Sequence, residues 1–238
     1  MRSILTDKEW ATRHLREGED WIEGYWKSRD HPKRAFLIDK ICKYLPIHSA
    51  LEIGCASGPN LYLLAKKLPN AEIRGIDINP MAVKKGNEWF MQDGISNVKL
   101  EVGRAQELER FADKSFDVVL TDAVLIYVAP EEIKKVAENM LRIGRIIVLC
   151  EWHIFHEWLA LLINGYYCLR LKTEAFKLKS SSLGVFVGHW ARDYWTLFKE
   201  LAPKRRVQIT KLPKRLWNDK DWQRWGAIIE VAERGTNQ

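Results

Sequence analysis

The sequence predicts an α/β fold: a seven-stranded, mostly parallel sheet with helices on both faces, an antiparallel last strand, an N-terminal helical cap and an insertion after strand five. Three observations carry this. Ser49 to Asp77 reads as strand, small-residue turn, helix and strand, a complete βαβ unit. From Asp77 to Cys150, apolar runs of strand length alternate with segments of helical periodicity, as a parallel sheet requires. Near the end, Arg206 to Leu212 and Gly226 to Ala232 read as the two strands of a hairpin, which is antiparallel by construction. A chain of 238 residues suits one such domain with appendages and is short for two.

Each element has a local reason. Thr6-Asp7-Lys8-Glu9 has the form of a capping box and predicts a helix to about Arg16, broken by Gly18. Trp21 and Tyr25 follow at i,i+4 with Trp26 beside them, a spacing that packs aromatics on a core. Asp30-His31-Pro32 opens a helix running to Leu45, where Pro46 ends it. Ala50 to Ile53 is the first strand; Pro59 opens the next helix, whose Leu61, Leu64, Ala65 and Leu68 share one face. The second strand, Glu72 to Ile76, ends in Asp77, and ligands of open α/β sheets bind at that carboxyl edge. Asn79-Pro80 starts a helix to about Gln92, Asn97 to Val102 is strand three, and Phe116 to Asp122 is strand four. A helix after Pro130, with Ile133, Val136, Ala137 and Leu141 on one face, leads to strand five, Arg145 to Cys150. Glu151 to about Trp190 forms the insertion, and Asp193 to Leu201 a further helix before the hairpin.

The turn Gly54-Cys55-Ala56-Ser57-Gly58 would clear side chains where a ligand approaches the backbone. A dinucleotide fingerprint would place glycine at 54, 56 and 59, but Pro59 offers no N–H to a pyrophosphate. Glu52-x-Gly54-x-x-x-Gly58 followed by Asp77 instead resembles motifs I and II of the class I (Rossmann-like) S-adenosylmethionine-dependent methyltransferases of small-molecule acceptor type, and later features extend the resemblance over residues 48–150. It implies that Glu52, Gly54, Ala56 and Gly58 frame the cofactor, that Asp77 takes the ribose hydroxyls with Ile78 beside it, and that the turn after strand three, Arg104-Ala105, meets adenine. The family usually has Asp where Arg104 stands, so adenine would lie on Ala105 with the Arg104 stem packed on the ring. Asp122 ends the strand that such enzymes place beside the sulfonium, and Tyr127 fills a slot where many have histidine. Arg34, or its neighbour Lys33, would reach the methionine carboxylate. The N-terminal aromatics would then cap the cofactor or acceptor. The resemblance divides the single domain into a helical cap (1–46), a cofactor-binding core (48–150), an acceptor-side insertion (151–192) and a C-terminal helix and hairpin (193–238).

Thr121-Asp122-Ala123-Val124 lacks the Asp/Asn-Pro-Pro-aromatic loop of base N-methylating enzymes, and no cysteine stands beside proline as carbon-5 cytosine chemistry requires. The four cysteines have no paired spacing, and Met1 to Thr6 has no apolar export region, so a cytoplasmic protein with reduced thiols is expected. Cys168 to Arg224 holds 14 Lys and Arg against 5 Asp and Glu, a net of +9 within a chain of +7. That excess favours a small or medium anionic acceptor, sugar- or nucleotide-linked ahead of a lipid, or peripheral contact with an anionic membrane; no stable nucleic-acid partner is expected, with RNA kept as an alternative acceptor. Gly188 to Tyr194, Gly-His-Trp-x-x-Asp-Tyr, resembles a pattern in methyltransferases of surface-polysaccharide pathways.

The insertion is amphipathic on a helix. His153, His156, Glu157, Ala160 and Asn164 form one stripe; Ile154, Trp158, Leu161 and Leu162 form another, which would pack on the core, line an acceptor lid or meet a membrane surface. His153, His156 and Glu157 lack a fourth ligand at metal-site spacing, so no metal is expected. For a hydroxyl acceptor the general base would be His153, with His189 the second choice and Tyr127 orienting the acceptor; Glu151, if exposed, is too weak a base. The rival from another class is a catalytically silent cofactor-binding protein.

Overall fold

The computed structural model describes residues 6–171 and 180–233. Five parallel strands form the centre of the sheet: β1 (Ser49–Ile53), β2 (Glu72–Asp77), β3 (Val98–Val102), β4 (Phe116–Asp122) and β5 (Gly144–Trp152). A short ribbon, β6 (Val185–Phe186) with β7 (Trp190–Ala191), precedes the hairpin of β8 (Arg206–Lys211) and β9 (Gly226–Ala232). The sheet order is β3-β2-β1-β4-β5-β9-β8, with β9 antiparallel to both neighbours, as the sequence predicts. The order reverses between β1 and β4, so their carboxyl ends open a crevice.

Strand alternation divides the core into two layers. Val118 and Leu120 of β4 and Ile146, Val148, Cys150 and Trp152 of β5 face the layer built from α4 (Pro32–Ile41), α5 (Pro59–Lys67) and Phe90 of α6 (Pro80–Gln92). Val119, Ile147 and Leu149 face the other, built on α7 (Ile133–Ile143) and α9 (Tyr194–Leu201).

Several boundaries differ from the sequence expectation. The first helix is two, α1 (Asp7–Ala11) and α2 (Arg13–Glu17), because Thr12 leaves helical geometry; Thr6 nevertheless makes both bonds of the capping box. The next helix, α3, spans Asp20–Lys27. Strand β5 runs two residues past Cys150, where Glu151 and Trp152 pair with Ala227 and Gly226. The charge of Glu151 interrupts the apolar run in sequence, although the position lies inside the sheet. The insertion helix, α8, accordingly begins at Glu157 and continues to Leu171, and a short helix, α10 (Lys220–Trp225), interrupts the C-terminal hairpin. Lys172, Lys177 and Lys179, counted above in the basic stretch, lie outside the described residues.

Candidate active site

The loop leaving β1 is shaped by backbone conformation and packing. Gly54, Ala56 and Gly58 all have positive φ, at 70°, 48° and 84°. A Cβ on Gly54 would lie 2.2 Å from a Val124 methyl, and one on Gly58 would lie 2.7 Å from the Phe90 ring. Phe90, not a ligand, therefore occupies the space that Gly58 clears, and Gly58 lines neither of the two cavities that meet here. The expectation that both glycines make room for a ligand is corrected: only Gly54 reaches a cavity, and it too is required by its neighbour.

Asp77 ties the loop to β2. Its carboxylate accepts from the Ala56 N–H at 2.7 Å and from the Asn79 N–H at 2.8 Å. Burial pushes its pKa up, and the two backbone N–H groups pull it partly back. A long, largely apolar cavity starts here, lined by Gly54, Ala56, Asp77, Ile78, Arg104, Ala105, Asp122 and Tyr127. The carboxylate at the end of β2 suits a diol and the apolar floor a flat ring, so the residues present fit an adenosine-bearing cofactor. The cap covers this cavity. Asp7 of α1 pairs with Arg104, Asn79 Nδ2 donates to the carbonyls of Trp10 and Ala11, and the Trp10 ring meets Tyr127 edge-on at 5.0 Å. Arg104 thus turns its guanidinium to the cap. A carboxylate does stand at this end of the cavity, supplied by Asp7 from the other end of the chain.

A second cavity, about 560 Å³, shares Gly54, Ala56, Asp122, Ala123 and Tyr127 with the first, as well as Trp21 and Tyr25 of α3. The aromatics expected to pack on the core thus divide: Trp21 and Tyr25 line both cavities, while Trp26 packs among Tyr62, Trp89 and Phe90. On one side lies a buried polar network. Lys33 Nζ is 2.5 Å and Arg34 Nη1 3.3 Å from the Asp122 carboxylate, Arg34 also donates to Asn60 Oδ1 at 2.9 Å, and Asn60 Nδ2 donates to Glu52 at 2.6 Å. Burial opposes the charge on both Lys33 and Asp122, but each partner outweighs it: Lys33 is held above and Asp122 below its ordinary pKa. Burial raises Glu52 to about 8, so it is protonated at neutral pH.

The opposite wall is a chain of rings: Tyr127 to His189 at 5.1 Å, His189 to Trp152 at 5.0 Å, Trp152 to Trp222 at 6.1 Å and Trp222 to Trp217 at 5.7 Å. Lys33 Nζ lies 4.5 Å from the Trp217 ring and 4.8 Å from that of Trp222. From the basic stretch Cys168 to Arg224, the lining residues are His189, Trp217, Asp219, Asp221 and Trp222, with no lysine or arginine among them. Lys204, Arg206, Lys211, Lys214, Arg215, Lys220 and Arg224 are solvent-exposed and line neither cavity. None of the described lysines and arginines of that stretch lines either cavity, and Lys172, Lys177 and Lys179 lie outside the described residues, so the +9 does not by itself support an anionic acceptor.

His153 is not brought to either cavity. It follows β5 in a bridge to Arg192, is buried, and accepts the Tyr194 N–H on Nδ1 at 3.3 Å, with Phe155 packed on its ring. Burial lowers its pKa. Glu151 is likewise not the exposed carboxylate assumed above. It is buried on the face away from Trp152, where it accepts from the Thr121 hydroxyl at 2.6 Å and from the N–H groups of Val124, Leu125 and Ile126. Burial pushes it up to about 7 against those bonds. Arg192, fully buried, donates to the carbonyls of Leu125 and Val128. Together they clamp the turn that carries Tyr127. Sequence reasoning missed this pair and the tryptophans of the wall; the available signal was the Gly188 to Tyr194 stretch, which contains both His189 and Arg192.

Comparison with known proteins agrees with this geometry. A methyltransferase-domain family profile matches residues 48–202. The chain is 28% identical over 158 residues to a mitochondrial rRNA methyltransferase 2 of Caenorhabditis elegans, covering 61% of this chain and 68% of that protein. It is 31% identical over 115 residues to a ribosomal protein L11 methyltransferase of Dictyoglomus thermophilum, covering 47% of this chain and 36% of that protein. Other curated relatives are likewise matched over about a third of their length. Among solved structures, the geranyl diphosphate C-methyltransferase of Streptomyces coelicolor superposes with a TM-score of 0.61 at 12% identity, covering 91% of this chain and 84% of that one. The YcgJ protein of Bacillus subtilis superposes at 0.58 and 15% identity, covering 84% and 100%.

Proposed function

The chain belongs to the S-adenosylmethionine-dependent methyltransferases of the class I fold, and from that premise we propose that it methylates a small-molecule acceptor held in the second cavity. One observation carries the proposal: the two cavities share Asp122, Ala123 and Tyr127, so a cofactor seated in the first and an acceptor in the second would meet there. The cofactor supplies, when bound, a methyl group made electrophilic by a sulfonium.

The chain's own residues do the rest by position. In the first cavity Asp77 would hold the ribose hydroxyls and Ala105 and Ile78 the base, and the amino-acid end would pass the shared residues to reach the Arg34–Asn60–Glu52 network at the edge of the second cavity. Trp10, Trp21 and Tyr25 exclude water from the shared wall, which favours an acceptor already aligned for attack. Tyr127 keeps its proton, since burial raises its pKa well above the ordinary value, and orients rather than abstracts. His189 stands against Tyr127 with its pKa lowered by burial, although Asp221 and Asp219 pull it upward; it is neutral at pH 7 and is the candidate base for a hydroxyl acceptor. The wall of Trp152, Trp217 and Trp222 favours an acceptor with a ring or an apolar face, neutral or cationic, because Asp219 and Asp221 stand at the cavity while its two cations are already paired.

The experiment is methyl transfer from labelled cofactor to a panel of neutral, cationic and anionic ring-bearing small molecules and to ribosomal RNA. Label in neutral or cationic small molecules supports the reading. Label in RNA alone, the acceptor class named for the C. elegans relative, overturns it.

A further inference from the structure

Helix α8 is apolar on every side. From Trp158 to Leu169 it carries no charged residue, and a helix of that kind needs covering all round. The fold covers one side: Ala160 and Asn164 are buried, and the Tyr167 ring packs on Phe186 at 5.4 Å. The opposite stripe, at i, i+3, i+4, i+7, i+8 and i+11, faces out. It consists of Trp158 (63% exposed), Leu161, Leu162 (66%), Gly165, Tyr166 (52%) and Leu169 (82%). Of the three expectations for this stripe, core packing is overturned for Trp158, Leu161 and Leu162: Ala160 and Asn164 turn in and these side chains turn to solvent.

We propose that α8 docks on the surface of an anionic lipid membrane, lying in the interface with this stripe among the acyl chains. The helix is about 22 Å long at 1.5 Å per residue, and no helix among the described residues is long and apolar enough to cross a bilayer. Trp158 and Tyr166 are the side chains that settle at the headgroup boundary. Stable surface binding takes an electrostatic signal besides the apolar one. Arg170 is exposed near the helix end, Lys211 sits 5.1 Å from the ring of Phe155 just ahead of the helix, and the whole chain carries +7. The alternatives fit less well. The stripe is apolar over its whole length and would find a hydrocarbon layer in a membrane but only a charged phosphate backbone on a nucleic-acid duplex, which argues against a nucleic acid. Its apolar surface is on the order of 500 Å², below the roughly 800 Å² per partner of a standard protein interface, which argues against a second copy. The inner side of the helix packs beside the loop that carries His189, since a Cβ on Gly188 would lie 3.1 Å from the Tyr167 hydroxyl. Docking rests on the exposed stripe and does not depend on which molecule is methylated.

The test is co-sedimentation of the full chain with vesicles of phosphatidylcholine and phosphatidylserine at 3:1, against vesicles of phosphatidylcholine alone. The parent should bind the mixed vesicles at least tenfold more tightly. The doubly substituted Leu162→Glu/Leu169→Glu chain should lose that binding while melting temperature and cofactor affinity stay at parental values, because both side chains are exposed. No binding by the parent, equal binding to both vesicles, or undiminished binding by the substituted chain overturns the proposal. So does a parent that sediments as a dimer without lipid and is dispersed to monomer by the two substitutions, which would assign the stripe to a second copy.

Discussion

The Lys33 ammonium and the Asp122 carboxylate, 89 positions apart in the chain, meet at 2.5 Å with both side chains buried. The contact joins the start of α4 to the carboxyl edge of β4 and sets the charge of the wall that the two cavities share. Lys33→Met leaves Asp122 with Arg34 as its cation and Asn60 as a further donor, both at 3.3 Å, and should destabilise the fold by about 3 kcal/mol in urea titrations, because a buried charge loses its nearest partner. The pH dependence has two signs. Asp122 is held below its ordinary pKa, so its stabilisation is present above that ordinary value and is lost on acidification through the lowered one. Lys33 is held above its ordinary pKa, so its contribution is full below that value and is lost as pH rises through the raised one. A substituted chain whose unfolding free energy matches the parent between these limits would show the pair to contribute nothing.

Asp77→Ala should weaken cofactor binding by about 2 kcal/mol, on the order of thirtyfold by calorimetry, through loss of the acceptor for two hydroxyls. The same carboxylate holds the Ala56 and Asn79 N–H groups, so a lower melting temperature is expected as well. Lower stability with unchanged affinity would leave Asp77 as a tether of the loop and nothing more.

Gly58→Ala should cost stability without any direct contact with the cofactor. The new methyl meets the Phe90 ring at 2.7 Å on a backbone at φ 84°, where a side chain is itself strained. Relieving the clash with Phe90→Leu should recover part of the melting temperature, whereas Gly54→Ala, 2.2 Å from Val124, should respond to Val124→Ala. Failure of both second-site changes to recover anything would mean that φ alone sets the requirement.

His189→Ala should lower kcat by about 10²-fold or more on a hydroxyl acceptor, with cofactor affinity preserved. Because burial holds His189 below the ordinary histidine value of about 6.5, the parent should keep full activity at neutral pH and lose it only on acidification below that value. The substituted chain should lack this acid limb. His153→Ala should show the opposite split, with lower stability from the vacated contacts of Phe155 and Tyr194 and an unchanged pH–rate profile. If His153→Ala abolishes the acid limb and His189→Ala does not, the two roles are reversed.

The sequence alone determined the order and kind of the central elements, since each rests on neighbours along the chain. The apolar run Ala50 to Ile53, the proline opening α5, the capping box at Thr6 and the carboxylate ending β2 act within a few residues of themselves. Family membership was legible for the same reason: Glu52, Gly54, Gly58 and Asp77 lie on one βαβ unit. What the tertiary structure decided is how distant segments share space. Nothing near Arg104 indicates that Asp7 will pair with it, and nothing near Asp122 indicates Lys33. The run past Cys150 reads as the end of a strand because Glu151 is charged. Only the pairing with β9 extends it, and strand alternation then sends Trp152 to the second cavity and Glu151 to the opposite face. Charge counts and helical stripes have the same limit. A stripe along α8 shows which residues share a face, but the direction that face takes is set by what packs beneath it, here Phe186, and so the leucines point outward. Likewise the basic C-terminal third contributes its exceptions, His189, Trp217, Asp219, Asp221 and Trp222, to the cavity, while its described lysines and arginines line neither cavity and Arg192 is spent on backbone carbonyls.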